Sequence, residues 1–192
     1  MNVITKTMKK RHTGFTLVEL MVTLVIAAVL LSMAVPSFLT MLQNNRMVTQ
    51  VNDYVTSLNV ARSEAVKRSS RITVCKSANN ASCATTGGWQ QGWIIFVDTN
   101  NDAIVTAGEE VLRAHGPIES GNTLVGTPDV INYISFVSTG FSLLTNGSAQ
   151  SGTVVMCDSR GFGADARAIV LSASGAVRTT PANDNSVSVT SC

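Results

Sequence analysis

The apolar residues of this chain are concentrated in one block near its start. From Phe15 to Val35 it reads FTLVELMVTLVIAAVLLSMAV, 21 residues with a single charge, Glu19. As a helix the block is about 31 Å long, enough to cross the hydrocarbon core of a bilayer. Beyond Pro36 the pattern becomes amphipathic. Val51, Tyr54, Val55, Leu58, Ala61, Ala65 and Val66 recur at spacings of three and four, the signature of one helix face. Asn52, Asp53, Asn59, Arg62, Ser63, Lys67 and Arg68 fill the other side, and the pattern stops near Ser69-Ser70. The two segments predict one N-terminal helix of about 50 residues. From Arg71 the period changes to two. RITVC, GWIIFV, EEVLR, NTLV, INYISFV, GTVVMC, ARAIVLS and AVRTT are short β-rich runs separated by Gly, Asn, Ser and Thr. Strands without intervening helices imply antiparallel pairing, so the expectation is an α+β fold with the helix packed on an antiparallel β-sheet head.

Composition sharpens this picture. A chain of 192 residues suits one ordinary domain, and 45% hydrophobic residues with mixed charge exclude a disordered or collagen-like polymer. The mean hydropathy of +0.24 reflects the apolar block, not a greasy domain. The only charges ahead of the block are Lys6, Lys9, Lys10 and Arg11, which place the N-terminus in the cytoplasm and the rest of the chain across the membrane. A secretory signal peptide has a shorter apolar core and a small-residue cleavage site behind it, neither of which is present here. Glu19 needs a separate explanation, because a carboxylate inside a membrane helix costs on the order of 2.5–3.5 kcal/mol and ordinarily has a partner.

Glu19 follows Gly14-Phe15-Thr16-Leu17-Val18, and the string GFTLVELMVTLVI behind a short basic leader resembles the class III leader of type IV pilins and pseudopilins. Further along, GWQQGWIIFVDTNNDAIVTAGEEVLR and INYISFVSTGF resemble the FimT/FimU-type minor pilins and the H-type pseudopilins of type II secretion. The resemblance implies cleavage after Gly14 by a membrane-embedded prepilin peptidase, followed by N-methylation of Phe15. It implies that Glu19, fifth from the new terminus, neutralises the α-amine of a neighbouring subunit and so sets the register of stacked helices. It also places at Pro36 the proline that kinks or locally melts such helices. The implied organisation is a leader at 1–14, a transmembrane and assembly helix at 15–36, its amphipathic half at 37–70 and a β head at 71–192. The expected role is that of a structural subunit, a primer or tip component of a type IV pilus, with no catalysis, no cofactor and no small-molecule substrate. Expected partners are other minor and major pilins, the prepilin peptidase and methylase, and the inner membrane before assembly. The expected location is single-pass in the inner membrane with a periplasmic head, then the filament and cell surface. Removing the leader takes four of the 14 basic residues, leaving ten against 12 acidic ones, a net of −2.

All four cysteines, Cys75, Cys83, Cys157 and Cys192, fall in the exported part, where an even number predicts two disulfides. Four cysteines allow three pairings. The preferred one joins Cys75 to Cys83 across a short Asn- and Ser-rich loop, and Cys157 to Cys192, pinning the tail to a strand. No Cys-x-x-Cys pair exists to hold zinc.

Other chemistry is sparse. His115, beside Gly116-Pro117, is expected in a turn, and no nucleophile-elbow, phosphate-loop or dinucleotide motif accompanies it. Asp98, Asn100, Asp102, Thr106 and Glu109 match positions 1, 3, 5, 9 and 12 of a calcium loop, but Ala103 stands where the sharp turn calls for glycine. A turn between two strands accounts for the same residues. Some FimT-type pilins bind double-stranded DNA through a Gly-Arg-x-Arg motif. The matching string here is Gly175-Ala176-Val177-Arg178, which retains only the second arginine; Arg160 and Arg167 precede it. Phosphate binding needs several clustered cations, so the DNA reading requires these three arginines to meet on one surface. Trp89 and Trp93 are expected in the core or a hairpin.

Overall fold

The computed structural model describes residues 14–118, 121–185, 187, 189, 191 and 192; the leader residues 1–13, with Lys6, Lys9, Lys10 and Arg11, lie outside the described residues. The chain divides into two compact units, Met1–Leu42 and Gln43–Cys192. One helix, α1 (Leu17–Arg68), is continuous through Pro36. Within the first unit its apolar side chains, from Phe15 to Met41, are exposed along their whole length. This helix is long and apolar enough to cross a membrane.

In the second unit the remainder of α1 buries Met47, Val51, Tyr54, Leu58, Ala61 and Ala65, a stripe at spacings of four and three. Val66, expected on this stripe, is 50% exposed and lines an open groove with Thr139 and Gly140. The eight expected strands are present: β1 (Ile72–Lys76), β2 (Trp93–Val97), β3 (Val111–His115), β4 (Thr123–Gly126), β5 (Tyr133–Phe136), β6 (Gly152–Cys157), β7 (Arg167–Leu171) and β8 (Val177–Pro181). They form two four-stranded antiparallel sheets, in the orders β3-β2-β1-β5 and β4-β6-β7-β8.

Side-chain alternation sorts each sheet into two faces. The inner faces contribute Ile72, Val74, Trp93, Ile95, Ile134 and Phe136 from the first sheet, and Leu124, Val154, Met156, Ile169 and Leu171 from the second. Together with the buried stripe of α1 they make one core. At its centre the ring of Tyr54 meets Trp89 and Trp93 edge-on, with centroids 5.3 and 5.1 Å apart. The outer faces carry smaller clusters: Cys75, Ile94 and Phe96 on the first sheet, and Val155, Cys157, Ala166, Ala168 and Ala182 on the second.

Arg62 and Arg68 both tie α1 to the head, and Asn122 donates to Gln50 of the helix at 2.6 Å. Arg62 donates from Nε to the Gly140 carbonyl and from Nη2 to the Ser174 carbonyl, both at 2.9 Å. Gly140 follows β5 and Ser174 lies in the β7–β8 hairpin, so one side chain links the helix to a turn from each sheet. At the helix end, Arg68 bridges Glu64 and Glu110, each at 2.7 Å. The turn at Gly175 has no room for another side chain: its φ is +74°, and a Cβ there would lie 2.1 Å from the Gly140 carbonyl oxygen.

Candidate assembly interface

The first turn of α1 is built by a cap. The Thr16 hydroxyl oxygen accepts a hydrogen bond from the Glu19 amide at 3.2 Å, and the Thr-x-x-Glu spacing is that of a capping box. Because Thr16 satisfies this amide, the Glu19 carboxylate remains exposed and has no partner among the described residues. A negative charge in the first turn is also favoured by the helix dipole. Gly14 and Phe15 precede the helix and are exposed. Pro36 does not melt it. The helix runs through, and the Thr40 hydroxyl donates to the Pro36 carbonyl at 3.1 Å. Proline removes only its own amide from the ladder, so the flanking bonds persist.

The head contains two disulfides, Cys75–Cys83 and Cys157–Cys192. Each lies on the outer face of one sheet. The first anchors the loop that follows β1 over Ile94 and Phe96. The second ties the tail across Val155 and Ala168, where Phe162, Val187 and Val189 also pack. Thin sheets with one face on the main core thereby gain cover on the other.

The candidate calcium loop is closed by its own amides. Asp98, buried, accepts from the Thr73 hydroxyl at 2.8 Å and from the Asp102 and Ala103 amides at 3.1 Å. Glu109 accepts from the Thr99 and Thr106 amides at 2.8 and 2.9 Å. Burial raises the Glu109 pKa more than any single contact lowers it, but the bonds from Thr106 and Thr99 together hold it below the usual value. Asn100 donates to Asp102 at 2.8 Å. Ala103 adopts a φ of +59°, so an alanine occupies the left-handed position expected of glycine. Among the described residues no group of three His, Cys, Asp or Glu side chains is arranged to hold a metal. The strand expected at EEVLR accordingly starts later, at Val111, because Glu109 belongs to the turn.

The three arginines do not converge. Arg160 is bidentate on Asp158, with Nη2 at 2.6 Å, and also contacts Asp165 at 3.1 Å. That hydrogen-bonded guanidinium is the main reason the Asp158 carboxyl is held below the usual range. Arg167 donates to the Ala164 carbonyl at 2.8 Å and starts β7 on its inner face. Arg178 is paired with Val170, three residues further along β7, and therefore lies on the opposite face from Arg167. Arg160 is ion-paired, and Arg167 and Arg178 lie on opposite faces of their sheet.

His115 is in β3, not a turn. It pairs with Trp93 across the ladder and stacks on its ring, with centroids 4.0 Å apart and 4° between planes. Both tryptophans are buried in the core. Arg62 gave no advance signal, because its partners are main-chain carbonyls 78 and 112 residues away. The Thr16 cap was legible in the Thr-x-x-Glu spacing.

Comparison with known proteins places these features. A sequence model described as "Type II transport protein GspH" matches residues 50–175, and one described as "Prokaryotic N-terminal methylation motif" matches residues 9–35. No curated protein matches. Among solved structures, the type IV minor pilin FimU of Pseudomonas aeruginosa (strain PAO1) superimposes with a TM-score of 0.54 at 19% identity, covering 73% of this chain and 92% of that one. A second crystal form of FimU gives a TM-score of 0.49 over 69% of this chain and 91% of that one. FimU shares the fold: a long N-terminal helix packed on an antiparallel head. With the family match spanning most of the head and the methylation motif spanning the start of α1, the chain belongs to the GspH family, a structural family of type IV minor pilins and pseudopilins.

Proposed function

We propose that this chain is a minor pilin, an assembly subunit at the tip or base-priming complex of a type IV pilus, and not an enzyme. The observation that carries this reading is the unpaired carboxylate of Glu19 in the first turn of α1, within an apolar stretch, residues 15–35, that carries no other charge and is exposed throughout. Such a helix is a buried element awaiting neighbours, and such a carboxylate is a charge awaiting a cation. In the proposed sequence the leader 1–14 is cut after Gly14 by the prepilin peptidase, and the Phe15 amine is methylated. Residues 15–36 hold the chain in the inner membrane, with the amphipathic half 37–70 and the head 71–192 in the periplasm. On assembly the helix leaves lipid for the filament core, and Glu19 meets the α-amine of a neighbouring pilin. Pro36 lets the helix adjust to its neighbours there.

Replacing Glu19 by Ala should leave leader cleavage intact while removing the protein from purified pili. Wild-type amounts of the variant in pili would overturn the proposal. Because the matching family is described by type II transport, a deletion strain scored together for piliation, transformation and secretion separates the readings. Loss of piliation supports the minor pilin, and a secretion defect with intact pili supports an H-type pseudopilin. The arginine placement does not favour a DNA receptor, which would appear as a transformation defect with normal piliation.

A further inference from the structure

Strand β3 forms one end of its sheet and lies beside a polar groove. At the other end of the same sheet, β5 is covered: the Ser135 carbonyl accepts from the Leu143 amide, and the Ser135 amide donates to Gln150. In the second sheet, the Leu124 amide of β4 donates to the Gln90 side chain, and β8 ends in a proline. Among the described residues no element pairs with the outward side of β3, and its five residues contain neither glycine nor proline. Unpaired strand edges are templates for another strand, and soluble proteins ordinarily block them.

Behind this edge runs a groove of about 270 Å³ between α1 and β3, lined by Asp53, Thr56, Ser57, Trp93, Arg113 and His115. Two of its polar groups are engaged within the chain, the Ser57 hydroxyl on the Asp53 carbonyl at 2.9 Å and His115 Nδ1 with the Gly116 carbonyl at 2.8 Å. The Asp53 carboxylate and the Arg113 guanidinium have no partner among the described residues, and the buried Nε1–H of Trp93 has none either. A bulge opposite Ile95 and Phe96 packs Leu112 against the core, while Arg113 stays exposed on the groove side at the middle of the strand.

From the open edge and the unpaired charges together, we infer that β3 is a β-augmentation site, which receives an extended segment of a non-identical neighbouring subunit carrying a carboxylate opposite Arg113. Backbone pairing to β3 supplies affinity, and the side chains entering the groove supply selection. The central arginine decides against a second copy of this chain. Antiparallel self-pairing centred on Val111–His115 would set Arg113 against Arg113, like charges directly opposite. A strand bearing Asp or Glu at that position is attracted instead by the Arg113 guanidinium, with the Thr56 hydroxyl lining the same groove.

This inference rests on the filament reading above, and the test separates the two. Amide hydrogen exchange is compared between full-length protein purified alone in detergent micelles and the same protein within isolated filaments. The outward amides of Val111–His115 should exchange at least about tenfold more slowly in filaments, while the buried amides of β1 and β6 change little. In Arg113→Glu the protection should disappear, and in Arg113→Lys it should be largely retained. Incorporation without added protection of β3 overturns the inference and leaves the filament role standing. Concentration-dependent protection of β3 in the purified protein alone shows pairing between copies and overturns it too. Absence of the chain from filaments overturns both.

Discussion

The Thr16 hydroxyl caps the Glu19 amide at 3.2 Å, which separates two duties that one acidic residue would otherwise share. Starting the helix depends on Thr16, and the carboxylate of Glu19 is left for a partner outside the chain. Glu19→Gln should therefore keep the helix intact, measured by circular dichroism of the full chain in micelles, while lowering incorporation into pili about 100-fold, the equivalent of the roughly 3 kcal/mol an unpaired charge costs at membrane depth. Equal incorporation of the variant would remove the assembly role of the Glu19 carboxylate.

Arg62 and Gly175 meet at the Gly140 carbonyl. Arg62→Met removes two charge-assisted hydrogen bonds and should destabilise the head by about 2–4 kcal/mol in denaturant titration. Gly175→Ala should cost about as much through backbone strain at φ +74° and a clash with Gly140. The double variant should lose less than the sum, because both changes disrupt the same junction.

The two disulfides close loops of very different length, with sequence separations of 8 and 35. In the chain-entropy account the shorter bridge is worth about 2.5 kcal/mol and the longer about 4 kcal/mol. Cys192→Ser, paired with Cys157→Ser to avoid a free thiol, should therefore lower the melting temperature more than the Cys75→Ser/Cys83→Ser pair. It should also increase binding of a hydrophobic dye as the tail leaves Val155 and Ala168.

Asp158 links stability to acid. Its folded-state pKa is lowered from the ordinary 3.8, chiefly by Arg160, so its contribution is complete above that value and is lost as pH falls through the lowered one. Thermal unfolding should show a loss of stability below about pH 4. In Arg160→Met that acid limb should flatten.

Lys76 shows the opposite linkage. Its ammonium is buried and donates to the Gly87 carbonyl at 2.7 Å, and desolvation lowers its pKa from 10.5. A lysine with a depressed pKa destabilises the fold while charged, so stability should rise as pH climbs through the lowered value towards 10.5. Lys76→Met should be neutral or stabilising at pH 7, as a buried charge is exchanged for an apolar chain of similar length.

Local pattern by itself determined the elements. The apolar block, the three-and-four spacing of Val51 to Ala65 and the period-two runs are properties of neighbouring residues, and each marked its helix or strand to within a few positions. The N-terminal methylation motif was legible for the same reason, since it lies in spacing along the chain. Tertiary structure decided how eight strands divide into two sheets, which depends on contacts between residues far apart in sequence. It also decided three side-chain outcomes that no local rule specifies. His115 stacks on Trp93 because a ladder sets them opposite. Arg167 and Arg178 face apart because the register pairs Arg178 with Val170. Asp98 and Glu109 turn inward because their loop closes on its own amides. In each case direction is set by the partner strand or loop, and the residue type alone carries no record of it.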